Sequence, residues 1–325
     1  MSNDAARNAK DAIRTAPSLR IQGPPMADDF LVVPDFASAE EAVRRGTDSE
    51  RIVVLEGRRE EAARAAARKG LAEGRGPLPA VPHDPGVSCL VVIPTYNEKD
   101  NIEPIIRDVL AYLATDVLIV DDGSPDGTGE IADRIASSDS RVHVLHRKGK
   151  QGLGTAYLAG FAFAAERGYQ RVFEMDADFS HAPWDLPRLA FASRDADLVI
   201  GSRYVKGGCT VGWDLKRRLL SRGANLYARM LLSSGIADNT AGFRCFSTDA
   251  LRRLDLSSVG AQGYAFQIEM AFRMVRAGFR VREIPIHFVD RRVGKSKMNA
   301  GIAREALLLV PRLRFRVPRA GKTAS

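Results

Sequence analysis

Residues 89–124 read "CLVVIPTYNEKDNIEPIIRDVLAYLATDVLIVDDGS", and this stretch contains the repeating unit of the fold. Residues 89–94 form an unbroken apolar run, as a strand buried on both faces would. Helical composition follows over 101–113, and residues 116–120 are a second apolar run. The same alternation continues downstream. Helices are expected over about 128–136 and 154–166, and strands over 141–146, 171–175 and 196–201. Strands alternating with helices predict an α/β fold with a doubly wound, mostly parallel sheet and helices on both faces. Beyond residue 201 the pattern loosens. Helices are expected over 214–233, 264–277 and 300–310, and residues 279–288 alternate like a strand.

The flanks differ from this centre. Residues 1–86 form an N-terminal extension, with short apolar runs "FLVV" and "IVVL", helix-like stretches near 38–46 and 58–74, and a Pro/Gly-rich linker near 74–86. The main domain is expected over 87–311 and a basic tail over 312–325. Residues 291–325 carry ten Lys and Arg against one Glu, a net of +9 that exceeds the +8 of the whole chain. Such a run suits an anionic surface, or is simply a solvated tail. The three cysteines are widely spaced and make neither a metal pattern nor a disulfide framework. With no apolar leader and no run approaching the ~20 residues of a spanning helix, the expected place is the cytoplasm, free or peripheral on a membrane.

In doubly wound sheets ligands sit beyond the carboxyl ends of the strands. Four consecutive predicted strand ends here carry polar, ligand-like chemistry. The first offers Tyr96 to pack on a base and Glu98 to accept from ribose hydroxyls. The second offers Asp121 and Asp122 in "DDGSPDGTG". The third, "HRKGKQGLGTA", offers Lys150 and Gly152, where glycine permits close backbone approach before a helix N-terminus that favours an anion. The fourth, "EMDADFSH", places Asp176 and Asp178 around Ala177. Two carboxylates held together repel unless a cation or proton intervenes. A hard divalent ion, Mg²⁺ or Mn²⁺, sharing its shell with substrate phosphates is the natural neutraliser. An isolated D-x-D is more often a solvated turn; four such ends in register are harder to explain as turn chemistry.

The motifs "VVIPTYNEKDNI", "VDDGSPDGT", "KGKQGLGTA", "MDADFSH" and "GSRYVKGG" resemble, in order and spacing, those of family 2 glycosyltransferases with the GT-A fold. "SRGANLYAR", "DNTAGFRCF", "GYAFQIEM" and "GKSKM" narrow the resemblance to polyprenol- or dolichol-phosphate mannose synthases, over about residues 88–309. That resemblance implies GDP-mannose as donor, a polyprenyl phosphate as acceptor, and work at a membrane surface, peripherally or through a membrane-spanning partner protein. It implies that Pro94, Tyr96, Glu98 and Asp122 hold the nucleoside and that Asp176 and Asp178 bind the metal. Ser180 stands where some members carry glutamine, which leaves a third ligand open. Arg203, Arg222, Arg292 and Lys295 fall in segments expected near phosphates, with Asp178, Arg203 and Arg222 at the reacting centre. Gln267 and Glu269 either approach the sugar or form a core-edge pair.

The acceptor phosphate is its own nucleophile, so no catalytic base is required, and the transfer is expected to invert the anomeric centre. The basic helix over 214–233 either lies in a membrane interface or packs on the sheet like any amphipathic helix. Leu313, Phe315 and Val317, interleaved with arginines in the tail, are expected to help docking. The nearest rival keeps the fold and changes the donor, for example to UDP-glucose. A nucleic-acid binder fits the basic tail but leaves the strand-end carboxylates unexplained and lacks any recognisable binding motif, so no nucleic-acid partner is expected.

Overall fold

The computed structural model describes residues 31–33, 52–54, 87–260, 263–290 and 310–315. The chain divides into two compact units, Met1–Pro82 and His83–Ser325. In the first, β1 (Leu31–Val33) and β2 (Ile52–Val54) pair in parallel with Leu31 opposite Ile52. They fall within the two short apolar runs of the N-terminal extension. The helices expected around them lie outside the described residues.

The second unit opens with β3 (Cys89–Thr95), α1 (Lys99–Tyr112), β4 (Asp116–Asp121), α2 (Thr128–Ser138) and β5 (Val142–His146). It continues through α3 (Leu153–Glu166), β6 (Arg171–Glu174), α4 (Leu186–Ala192) and β7 (Leu198–Ser202). Then come β8 (Cys209–Val211), α5 (Leu215–Leu232), β9 (Arg244–Ser247), α6 (Thr248–Arg252), α7 (Gly263–Arg276), β10 (Val281–Pro285) and β11 (His287–Val289). Seven strands form one sheet in the order β10-β7-β9-β6-β3-β4-β5. All pair in parallel except β9, which runs antiparallel to both β6 and β7. A separate two-stranded parallel sheet joins β8 and β11.

The central strands are apolar throughout because both faces are covered. Leu90 and Val92 of β3 and Leu118 and Val120 of β4 join one core with Tyr157 and Phe161 of α3 and Phe266 and Met270 of α7. The alternate residues Val91, Ile93, Val117 and Ile119 are equally buried and point the other way. α3 approaches β3 so closely that a Cβ at Gly160 would lie 2.5 Å from Val92 Cγ1. Only glycine fits there without movement of the helix or the strand.

Two expectations need correction. The alternating stretch over 279–288 is not one strand. It breaks at Ile286, whose N–H bonds the Ser202 carbonyl and whose carbonyl accepts from Cys209, so that β10 and β11 serve different sheets. The helix expected over 300–310 lies, but for Val310, outside the described residues, and the basic tail expected from 312 includes Leu313 among its docking residues. Residues 310–315 are helical, and Val310 and Leu313 are buried with Ala228, Leu232, Ile268 and Phe272. Leu313 therefore serves the core rather than docking, because its side chain closes the gap between α5 and α7.

Candidate active site

The parallel topology brings the carboxyl ends of β5, β4, β3 and β6 side by side. Asp121 ends β4 and is buried; its carboxylate accepts from Thr95 Oγ1 at 2.9 Å, Ser124 N at 3.0 Å and Ser124 Oγ at 2.6 Å. Those bonds tie the ends of β3 and β4 together and shape the following loop. Asp121 is thereby committed to holding the loop, a structural place different from the ligand contact expected of it. Asp126 extends the same scaffold, accepting from Thr128 and from the Lys99 backbone N–H. Its carboxyl lies below the ordinary range; burial opposes this shift, and the Thr128 and Lys99 hydrogen bonds outweigh it.

Asp122 is buried and faces Arg147, which donates from Nε at 2.5 Å. Arg147 also donates to Thr155 Oγ1 and the Gly152 carbonyl. Sequence reading passed over Arg147, although a signal existed. Asp121 pairs with His146 across β4 and β5, so Asp122 and Arg147 stand one step further along the same two strands. Gly152 caps α3 at φ +100°, a backbone conformation that glycine tolerates and other residues rarely adopt. Lys150 is exposed, and its Nζ sits 5.0 Å from the centre of the Tyr96 ring. Glu98, half-buried, accepts from Asn101 Nδ2 at 2.9 Å. Pro94 lies within β3, opposite Val120. One end of the sheet thus gathers Tyr96, Glu98, Asp122, Arg147 and Lys150.

Beyond β6 the chain turns sharply, with Phe179 at φ +61°. Asp176 keeps 38% of its side chain exposed, Asp178 is buried, and Ala177 between them is buried. The Asp176 backbone N–H donates to His181 Nδ1 at 3.0 Å. That bond leaves the ring proton on Nε2, and burial pushes the His181 pKa down, so the ring is neutral. His181 stacks on Phe243 with ring centres 5.1 Å apart. The Tyr157 hydroxyl reaches Asp176 Oδ1 at 3.4 Å, and Ser180 N donates to Asp178 Oδ1 at 3.1 Å. Ser180 Oγ is buried with no hydrogen-bond partner among the described residues.

These residues fit a divalent ion. Asp176 and Asp178 are hard oxygen donors, and Ser180 Oγ is an unengaged oxygen beside them. No cluster of three or more His, Cys, Asp and Glu suited to a metal occurs among the described residues. The protein would supply only part of a coordination shell, which suits an ion completed by phosphate oxygens and water.

Arg203 follows β7 and is buried. It grips Asp238 with Nε at 2.7 Å and Nη2 at 2.6 Å, and Thr240 Oγ1 at 2.8 Å. Tyr204, Trp213 and Phe288 surround its guanidinium at 5.3–5.5 Å. Its charge is matched inside the protein, so its geometry is that of a hub rather than of a phosphate clamp. Arg222, exposed on α5, lies 5.9 Å from the same Tyr204 ring. Arg292 and Lys295 lie outside the described residues. Gln267 is buried near His181 and Gly242, whereas Glu269 pairs with Arg273 at 2.6 Å. Two residues apart on a helix point about 200° apart, so the two do not converge on one sugar.

The model of glycosyl transferase family 2 matches residues 90–255, the span that holds all four strand ends. The chain is a family 2 glycosyltransferase. This glycosyltransferase is 51% identical over 227 residues to an undecaprenyl-phosphate mannosyltransferase of Micrococcus luteus, covering 69% of this chain and 92% of that one. It is 49% identical over 241 residues to a polyprenol monophosphomannose synthase of Mycolicibacterium smegmatis, covering 73% and 91%. Among solved structures, glucosyl-3-phosphoglycerate synthase from Mycobacterium tuberculosis, in complex with Mn²⁺, uridine-diphosphate-glucose and phosphoglyceric acid, superimposes with a TM-score of 0.54. That match has 20% identity and covers 74% of this chain and 83% of that one, a likeness of fold.

Proposed function

We propose that the protein transfers mannose from GDP-mannose to a polyprenyl phosphate at a membrane surface. The observation that carries this reading is the carboxylate pair at the end of β6, in a chain about half identical to two enzymes named for polyprenyl-phosphate mannose chemistry. Tyr96 and Lys150 would flank the base, with Glu98 and the Asp122–Arg147 pair fixing the nucleoside. Asp176 and Asp178 would hold Mg²⁺ or Mn²⁺, which when bound offsets charge on the departing diphosphate.

The acceptor is a phosphate monoester with a second pKa of about 6, so it is largely ionised at neutral pH. An acceptor phosphate oxygen forms the bond to C1 of mannose while the bond from C1 to the diphosphate breaks, its electron pair leaving with GDP. Attack from the opposite face inverts the anomeric centre. No side chain needs to remove a proton, and the neutral His181 is placed to shape the D-x-D turn instead. Arg222, with Arg292 and Lys295 from sequence, offsets the repulsion between two anionic substrates. Arg203 acts through position, tying the end of β7 to the loop that carries Asp238.

The test supplies labelled GDP-mannose or UDP-glucose together with polyprenyl phosphate and divalent metal, followed by lipid extraction. Mannose should appear in the lipid, β-linked, and Asp178→Ala should lower the rate at least about hundredfold. Label entering from UDP-glucose instead, or full activity in excess chelator, overturns the reading.

A further inference from the structure

α3 buries Gly154, Ala156, Tyr157, Gly160, Phe161 and Ala164. Tyr157 is the one residue of this face with a polar side-chain atom, and it is fully buried. A hydroxyl taken out of water costs stability unless it finds a partner, so phenylalanine would serve a purely packing role better. The partner here is Asp176 Oδ1, 3.4 Å away in the turn after β6. The ring that carries the hydroxyl is held in place. It stacks on Phe266 of α7, with ring centres 6.1 Å apart and planes 16° apart. One turn further along, Gly160 lets α3 lie directly against Val92 of β3. Two residues before Tyr157, Thr155 Oγ1 accepts from Arg147, the partner of Asp122. α3 therefore touches the nucleoside end of the site through Thr155 and the carboxylate pair through Tyr157.

We propose that Tyr157 is a positioning residue for the divalent ion: its hydroxyl restricts the rotation of the Asp176 carboxylate, so that this ligand is set in advance relative to Asp178 and to the nucleoside end of the site. The inference deepens the proposed function and rests on its assignment of the ion to Asp176 and Asp178. Asp176 needs such a restraint more than its neighbour does. Asp178 is buried, whereas 38% of the Asp176 side chain is exposed. The phenol keeps its proton at neutral pH and so donates to the carboxylate. At 3.4 Å the bond is long for a hydroxyl on a charged acceptor, so it limits rotation without neutralising the carboxylate as a cation would. Hydrogen bonds to a ligating carboxylate orient it for the ion, and losing one lowers metal affinity about 10–100-fold. Tyr157 thus acts through Asp176.

The test titrates the full-length protein with Mn²⁺ and follows the free ion by electron paramagnetic resonance, once with saturating GDP and once with saturating UDP. Tyr157→Phe deletes the hydroxyl and keeps the ring. With whichever diphosphate supports Mn²⁺ binding in wild type, this variant should bind the ion at least about tenfold more weakly, with little change in its melting curve. In transfer assays its rate should return to within about threefold of wild type at saturating Mn²⁺, a change in metal requirement rather than in kcat. Phe266→Leu loosens the ring stack and leaves the hydroxyl in place. It should lower the melting temperature and keep Mn²⁺ affinity within about twofold of wild type. Titration at a temperature where every variant is folded keeps early melting from mimicking the loss. Equal Mn²⁺ affinity of Tyr157→Phe and wild type overturns the proposal and leaves the ion assignment intact. So does equal weakening by Phe266→Leu, which would make Tyr157 a packing residue only. No Mn²⁺ binding to wild type with either diphosphate removes the ion, and with it both readings.

Discussion

Arg147 and Asp122 show how a single pair decides the shape of a loop. Both side chains are about nine-tenths buried, so removing one leaves the other as an uncompensated charge. Arg147→Met should destabilise the protein by about 3 kcal/mol in urea unfolding and raise the donor KM more than it lowers kcat. Glu174 gives a second residue-scale prediction. It is fully buried, and burial pushes its pKa up to about 8, with the nearby Arg244 and Gln267 opposing the shift. A carboxyl with a raised folded pKa binds more protons folded than unfolded between its two pKa values. Stability should therefore fall as pH rises from about 4.5 to about 8, and Glu174→Gln should flatten that slope in thermal melts. Glu174 stands opposite Arg244 across the antiparallel β6–β9 pair, a neighbourhood no local reading shows.

At the scale of elements, the contact of α3 with β3 is the tightest constraint. Gly160→Ala would press a methyl into Val92, and overpacking of this kind costs about 1–3 kcal/mol. Val92→Ala on its own should also destabilise. The double variant should recover much of the loss from Gly160→Ala, a non-additivity measurable by chemical denaturation. α5 was legible as a basic amphipathic helix from its spacing, and Asp214 caps it by accepting from Arg217 N at 2.6 Å. Which face turns inward was not legible, because leucines and buried Asn225 compete for the same core. The outcome depends on Thr240, which lies elsewhere in the chain, partners Asn225 and is itself held by Arg203.

Over the whole molecule, the match to family 2 lies entirely within the unit His83–Ser325. A chain beginning at residue 83 should melt as cooperatively as the full protein and keep transferase activity within about twofold, since this unit has its own core. Loss of folding in that truncation would show that residues 1–82 complete the domain.

Sequence by itself determined the parallel α/β class, the strands β3 to β7 and the polar groups at four of their ends. Those features are local, written in apolar runs and in the turn chemistry that follows each. It also singled out Asp176 and Asp178, two carboxylates one residue apart after a buried strand, as candidates to face a cation. Only the tertiary structure placed β9 antiparallel between β6 and β7, since a four-residue buried strand carries no periodicity of its own. Only it separated Asp121, consumed by Thr95 and Ser124, from its neighbour Asp122, and Arg203, enclosed by Asp238, from exposed Arg222. Composition shows which side chains carry charge. Whether that charge meets a partner or solvent depends on residues brought near by folding, and on the burial that makes an unmatched charge costly.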